Sequence, residues 1–269
     1  MNHSKFTQLN SLASIDLIGT EVTQFLDGQL SIDTKSLETH LAKLACFCTH
    51  KGRIASLFHI LLIENGVRLL LPKSIIEATQ AHIKKYAVFF KVEITSNTTE
   101  LFAICDNQMK TPVSAQLVKI DQTDLQVSFE ESDSKELDDS FWFSQLAENQ
   151  IAWLTQETLE HFLPHNLNLP ALKAIDFKKG CFTGQEVIAR MQYKGKLKQH
   201  LQSLQCQENI EIPSKSKLFQ NGKSIGEVIC SVTNYANNVT VLALIKDSAN
   251  LSKHFQTSSE NSPILEITS

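Results

Sequence analysis

Residues 54–72 read IASLFHILLIENGVRLLLP, two apolar runs on either side of Asn65-Gly66. Asn-Gly between apolar runs is the strongest short hairpin signal, because both residues tolerate the positive φ that a two-residue turn demands. The stretch therefore predicts two antiparallel strands over 54–71. Just beyond it, SIIEATQAHIKKYAV (74–88) follows Pro72 with Ser74 as a candidate cap. Its apolar positions 75, 76, 83, 86 and 87, with Ala78 between them, fall on one face of a helix. A strand-like FFKVEIT comes next. Hairpin, helix and strand in that order predict the α+β class, with helices layered on an antiparallel sheet.

Further out, TEVTQFLDG (20–28) predicts a short helix capped by Thr20, with Glu21 in its first turn, Val22, Phe25 and Leu26 on one side, and Gly28 ending it. The acidic FEESDSKELDDS (129–140) reads as a solvated connection, and FWFSQLAENQIAWLTQETLEHFLP keeps helical spacing as far as Pro164. From about residue 198 short β-branched runs are broken by Asn221-Gly222 and Asn237-Asn238, which predicts a small barrel. The expected division is a body over 1–197 and a small C-terminal β-barrel over 198–269.

A chain of 269 residues with 42% hydrophobic and 20% charged residues is long enough for a self-sufficient core. Its net charge of −4 and pI of about 6.1 argue against wrapping nucleic acid through bulk positive charge, so no strong direct nucleic-acid binding is expected and any contact has to be local. The N-terminus has no apolar run behind a basic start, and eighteen apolar residues never follow one another. A cytoplasmic protein without a membrane partner is expected. Six cysteines are dispersed, and alternation along a strand would put Cys46 and Cys48 on one face, as buried core thiols more readily than as shared ligands. No metal site and no disulfide framework are expected.

The chemistry concentrates at KKGCFTGQE (178–186). Thr183 and Glu186 have capping-box spacing, with Phe182 and Val187 at the positions of a hydrophobic staple, which predicts a helix starting at Thr183. Cys181 would then precede a helix N-terminus, where free amides, the helix dipole, Lys178 and Lys179 all favour a thiolate. Gly180 would let a ligand approach the backbone. Between Lys173 and Lys198 seven cations face only Asp176 and Glu186, a local +5 that points to an acidic ligand or a phosphate. A solvated basic face beside a buried cysteine accounts for the same residues equally well. The glycine patterns of common nucleotide loops are absent. A Cys-His hydrolase would draw its base from His161, His165 or His200, which lie nearby in the chain.

KKGCFTGQE followed by VIARMQYKG resembles the Lys-Gly-Cys-aromatic-x-Gly-Gln-Glu motif of the YgfZ folate-binding proteins, relatives of the glycine-cleavage T-protein. FLDGQLSID (25–33), CTHKGRI (48–54), FLPHNLNLPALKAIDFKKG (162–180) and NGKSIGEV (221–228) are similar to further segments of that family, so the resemblance spans nearly the whole chain. It implies a T-protein-like ring of two ferredoxin-like halves around tetrahydrofolate, with the small barrel behind. It also implies a folate-binding accessory protein that supports iron–sulfur enzymes, including one that thiomethylates tRNA; the alternative is a folate-dependent one-carbon transferase. Cys181 and Lys179 match the family's functional pair. Trp142, Lys179, Gly180, Gln185, Glu186 and Arg190 are the expected cofactor-binding residues, while a second family tryptophan near the N-terminus has no counterpart, the nearest position being Leu12. The T-protein's carboxylate near the pterin is replaced here by Ser56 and Leu57, which counts against transfer chemistry.

Overall fold

A computed structural model describes residues 6–97, 102–105, 117–129, 139–234, 237–252, 254–257 and 264–267. The predicted hairpin is there: β4 (Ile54–Ile63) turns through Glu64-Asn65, with Asn65 at φ 58°, into β5 (Gly66–Pro72). Around it lie β1 (Phe6–Gln8), β2 (Leu12–Ile18), β3 (Leu41–Cys48), β6 (Glu93–Asn97), β7 (Phe102–Cys105), β8 (Val118–Ile120) and β9 (Leu125–Ser128). Among the described residues they form one nine-stranded sheet in the order β1-β7-β9-β8-β3-β4-β5-β2-β6. Every neighbouring pair is antiparallel except β3 with β8, a short parallel seam pairing Leu41 with Lys119 and Ala42 with Ile120.

Strand β4, inside the sheet between β3 and β5, is buried on both faces, which is why its sequence runs apolar without alternating. Phe58 and Ile60 point to one side, into a core shared with α1 (Val22–Asp27) and α2 (Ile76–Ala87). Leu57 and Leu61 point to the other, into a core shared with Trp142 and Leu146 of α3 (Ser140–Glu148). Burying a side chain of this size stabilises the fold by about 1.5–3 kcal/mol. Cys46 and Cys48 do share a buried face, with sulfurs 3.7 Å apart, and the contact with Cys46, together with burial, holds the Cys48 thiol well above its ordinary pKa.

The barrel comprises β10 (Gln199–Cys206), β11 (Lys217–Gln220), β12 (Lys223–Thr233), β13 (Val239–Lys246), β14 (Phe255–Gln256) and β15 (Ile264–Ile267), closed in the order β10-β13-β12-β11-β14-β15. Asn221 and Gly222, at φ 52° and 72°, make the tight turn between β11 and β12. Along β13 the alternation is clean: Val241 and Ala243 fill the barrel, while Leu242 and Leu244 join the core beneath α3.

Three local expectations fail. Neither Thr20 nor Ser74 caps its helix: α1 starts after Glu21, whose carboxylate accepts from the Lys91 amide at 2.7 Å, and α2 is entered from a 3-10 turn over Lys73–Ile75. Helical spacing does not carry α3 to Pro164. The helix stops at Glu148 because Gln150 turns left-handed, at φ 55°, and the Ile151 amide closes back on the Leu146 carbonyl at 2.8 Å. Most of the acidic connection (residues 130–138) lies outside the described residues.

Candidate functional site

Segments far apart in sequence meet at the start of α4 (Gln185–Lys194). The carbonyls that α1 leaves unpaired at its C-terminal end face the loop before α4, and Lys179 Nζ donates to two oxygens there, Asp27 at 3.1 Å and Leu30 at 2.6 Å. The Thr183 amide donates to the Gly28 carbonyl at 3.0 Å and the Asp176 amide to that of Ser31 at 2.9 Å. Ser31 is a buried junction: its hydroxyl donates to the Ala174 carbonyl at 2.7 Å and accepts from the Cys46 amide at 2.9 Å. The third segment enters through Gly52 and Gly184, both at positive φ, where a Cβ on Gly184 would stand 2.4 Å from the Thr49 carbonyl oxygen and 3.0 Å from the Gly52 Cα. FLDGQLSID, CTHKGRI and KKGCFTGQE thus form one packed unit.

The capping box does not form. Gly184 in the left-handed conformation caps α4, while the Thr183 hydroxyl turns to Gln29 at 3.2 Å and the Gly28 carbonyl at 3.4 Å. The threonine joins the loop to α1 instead of closing its own helix. The staple fails with it, since Phe182 is buried but Val187 is exposed and lies over Gly52.

Cys181 is exposed, in an open hollow of about 590 Å³ that Gln185 and Glu186 also line. His50 and Tyr86 complete the wall. Burial lowers the pKa of Lys179 from its ordinary value, against the opposing pull of Asp27, Asp33 and Asp176, and its ammonium sits 5.2 Å over the Phe182 ring. Gly180 is exposed, and a methyl added there would meet no protein atom within 4 Å, so packing gives no reason for a glycine. Arg190 is exposed on α4. The histidines expected as bases are engaged elsewhere: His161 with Glu227 at 3.1 Å, His165 with Gln192 at 3.1 Å, His200 with Asp247 at 3.0 Å. The histidine that shares the hollow with Cys181 is His50, which reading outward from the cysteine along the chain could not find.

Trp142 is not in this hollow. It is 1% exposed and stands edge-on to His59, their rings 6.2 Å apart, in a cavity of about 20 Å³ that Leu12, Leu44, Leu57 and Leu146 help to line. His59 is buried, its Nε2 has no hydrogen-bond partner, and burial lowers its pKa from 6.5 to about 4. Sequence reasoning missed it, although a histidine inside LFHILLI was the available signal.

No protein-family model matches the chain. The tRNA-modifying protein YgfZ of Aliivibrio fischeri strain MJ11 is 30% identical over 213 residues, 70% of this chain and 67% of that protein. The chain belongs to the YgfZ family. YgfZ of Colwellia psychrerythraea is 27% identical over 97% of this chain and 88% of its own length. Among solved structures, the glycine cleavage system aminomethyltransferase T of Bartonella henselae superposes on 99% of the chain and 85% of its own, with a TM-score of 0.66 at 14% identity. YgfZ membership and the T-protein-like fold therefore agree with the three segments that meet at α4. Among the described residues no helix is long and apolar enough to cross a membrane.

Proposed function

We propose that the protein binds tetrahydrofolate and acts as an accessory factor for iron–sulfur enzymes, among them enzymes that modify tRNA. One observation carries the folate reading. Trp142, which the resemblance implies as a folate contact, walls one cavity with Leu12 and with His59, whose Nε2 has no hydrogen-bond partner. An aromatic face, apolar walls and a lone buried polar nitrogen match the chemistry of a pterin ring. The space does not yet match, since ligand pockets measure about 300–1,000 Å³ and this cavity about 20 Å³. Entry of the ring would require these walls to part.

In this reading Trp142 and His59 would hold the ring within two ferredoxin-like halves, a body of 1–197 backed by a barrel of 198–269. Bound folate would supply one-carbon chemistry. Lys179 fixes the end of α1, and Cys181, with Gln185 and Glu186, faces the client enzyme from its separate hollow, while Gly180 and Arg190 stay outside that lining. The transferase alternative lacks support: Ser56 bonds to the Thr79 hydroxyl at 2.7 Å and Leu57 is core, so neither can move a proton for a substrate.

The test is anaerobic thermal unfolding with tetrahydrofolate in excess. Ligand at a hundredfold its dissociation constant stabilises by about 2.7 kcal/mol, a rise of about 5–10 °C for a chain of this size. Wild type should show it and Trp142→Ala should not. A folded wild type that gains nothing at saturating folate would remove the folate reading and leave the family assignment intact.

A further inference from the structure

Where α4 ends, the chain runs RMQYKGKLK (190–198), four cations without a carboxylate in a protein of net charge −4. Gly195 makes the local geometry possible. Its amide donates to the Met191 carbonyl at 2.9 Å, and a Cβ there would stand 2.5 Å from that oxygen, so the chain turns flat against the helix and leads Lys196 and Lys198 away along a cleft between body and barrel.

The cleft has a volume of about 630 Å³. Leu163, Met191 and Leu197 give it an apolar floor, and Lys196, Lys198 and Lys246 contribute positive charge. Asp247 is the acid of the lining, and it is engaged by His200 at 3.0 Å. Among the described residues no carboxylate lies within ion-pair distance of Lys196 or Lys198, and both are exposed. Asn166, Gln199 and Ser248 bring amides and a hydroxyl to the same wall. Beside it Tyr193 is 72% exposed, its ring 6.1 Å from Phe177, which in turn lies 6.4 Å from His165, the neighbour of Asn166.

We propose that this cleft binds a short single-stranded segment of RNA, a base on the apolar floor or on Tyr193 and the flanking phosphates on the lysines. A bare phosphate would leave the floor unused, and an apolar ligand would leave the cations unanswered. A nucleotide chain answers both, as in other single-strand sites that combine a cationic groove with an aromatic platform. The amides and the hydroxyl are groups that can bond a ribose 2′-OH, which favours RNA over DNA. The site is local, as the net charge requires, and it shares no lining residue with the Trp142 cavity, so it stands independently of folate.

The experiment is fluorescence anisotropy of the full chain with a labelled, unstructured RNA of about twelve nucleotides. Three phosphate contacts predict an affinity loss of about 20-fold between about 50 and 200 mM salt. Lys196→Ala with Lys198→Ala should weaken binding about tenfold or more, and the paired arginine variant should restore it. Tyr193→Ala should weaken it about tenfold while Tyr193→Phe retains it. Lys84→Ala with Lys85→Ala, a charge loss of equal size on α2, should change it less than about twofold. Absence of binding at low salt, an equal loss in the α2 pair, or equal affinity for DNA of the same sequence would each overturn the proposal.

Discussion

His59 carries an unpaired nitrogen into a wall of leucines, and the consequence is a pH dependence of stability. The unfolded chain takes up this proton near pH 6.5, the folded chain only near 4. Between those values the unfolded state binds more protons, so stability rises with pH and is lost as pH falls from 6.5 towards 4, by about 3 kcal/mol for this residue. His82 shifts in the same direction but is partly exposed, and contributes less. Urea unfolding at several pH values should show the slope, and His59→Leu should flatten it while raising stability at acid pH. An unchanged slope in that variant would assign the dependence to other groups. The residue was visible in the sequence as one polar position in an apolar strand. Its partner was not, because Trp142 lies 83 positions away and no local pattern joins a strand to a helix across a core.

At the scale of elements, the start of α4 shows why a strong local motif can mislead. Threonine and glutamate at capping-box spacing predict a reciprocal cap, yet Thr183 has a competing acceptor in Gly28, and a left-handed glycine serves as the cap instead. Helix α3 tells the same story at its other end, where a left-handed Gln150 overrides continued helical spacing. The hairpin at Asn65 and the turn at Asn221-Gly222 were legible because backbone conformation there depends on the turn residues themselves. Gly184→Ala tests the arrangement at α4. Positive φ and a contact of 2.4 Å with backbone leave the new methyl no room, so a loss of at least about 2 kcal/mol is expected by urea unfolding. A loss below about 0.5 kcal/mol would mean that the loops at Gly52 and Gly184 are not packed as described.

The whole molecule is joined through its core. Leu242 and Leu244 of the barrel, and Ile229 beside them, lie in the same apolar cluster as Trp142 and Leu146 of the body. Such continuity predicts one cooperative transition, with far-UV dichroism and the fluorescence of Trp142 and Trp153 changing together. Leu242→Ala should lower both midpoints together, at a cost of about 2–5 kcal/mol; separate midpoints would show that barrel and body unfold independently. The barrel was legible from its turns and short β-branched runs, whereas its docking was not, because the outward leucines of β13 read in sequence as part of one continuous buried strand.

One carboxylate ties these scales together. At the entrance to α3, Asp139 accepts from the Asn10 amide at 2.7 Å and the Ser11 amide at 2.6 Å, and from the Ser11 hydroxyl as well. Leu12 follows Ser11 directly, and Trp142 lies one turn beyond Asp139, so this carboxylate fastens the two walls of the cavity to each other. Anything that enters between them has to wait for that fastening to let go. Its arrival would then be timed by the protein's own opening and not by how often it collides with the surface, and a crowd of ligand outside would not hurry it.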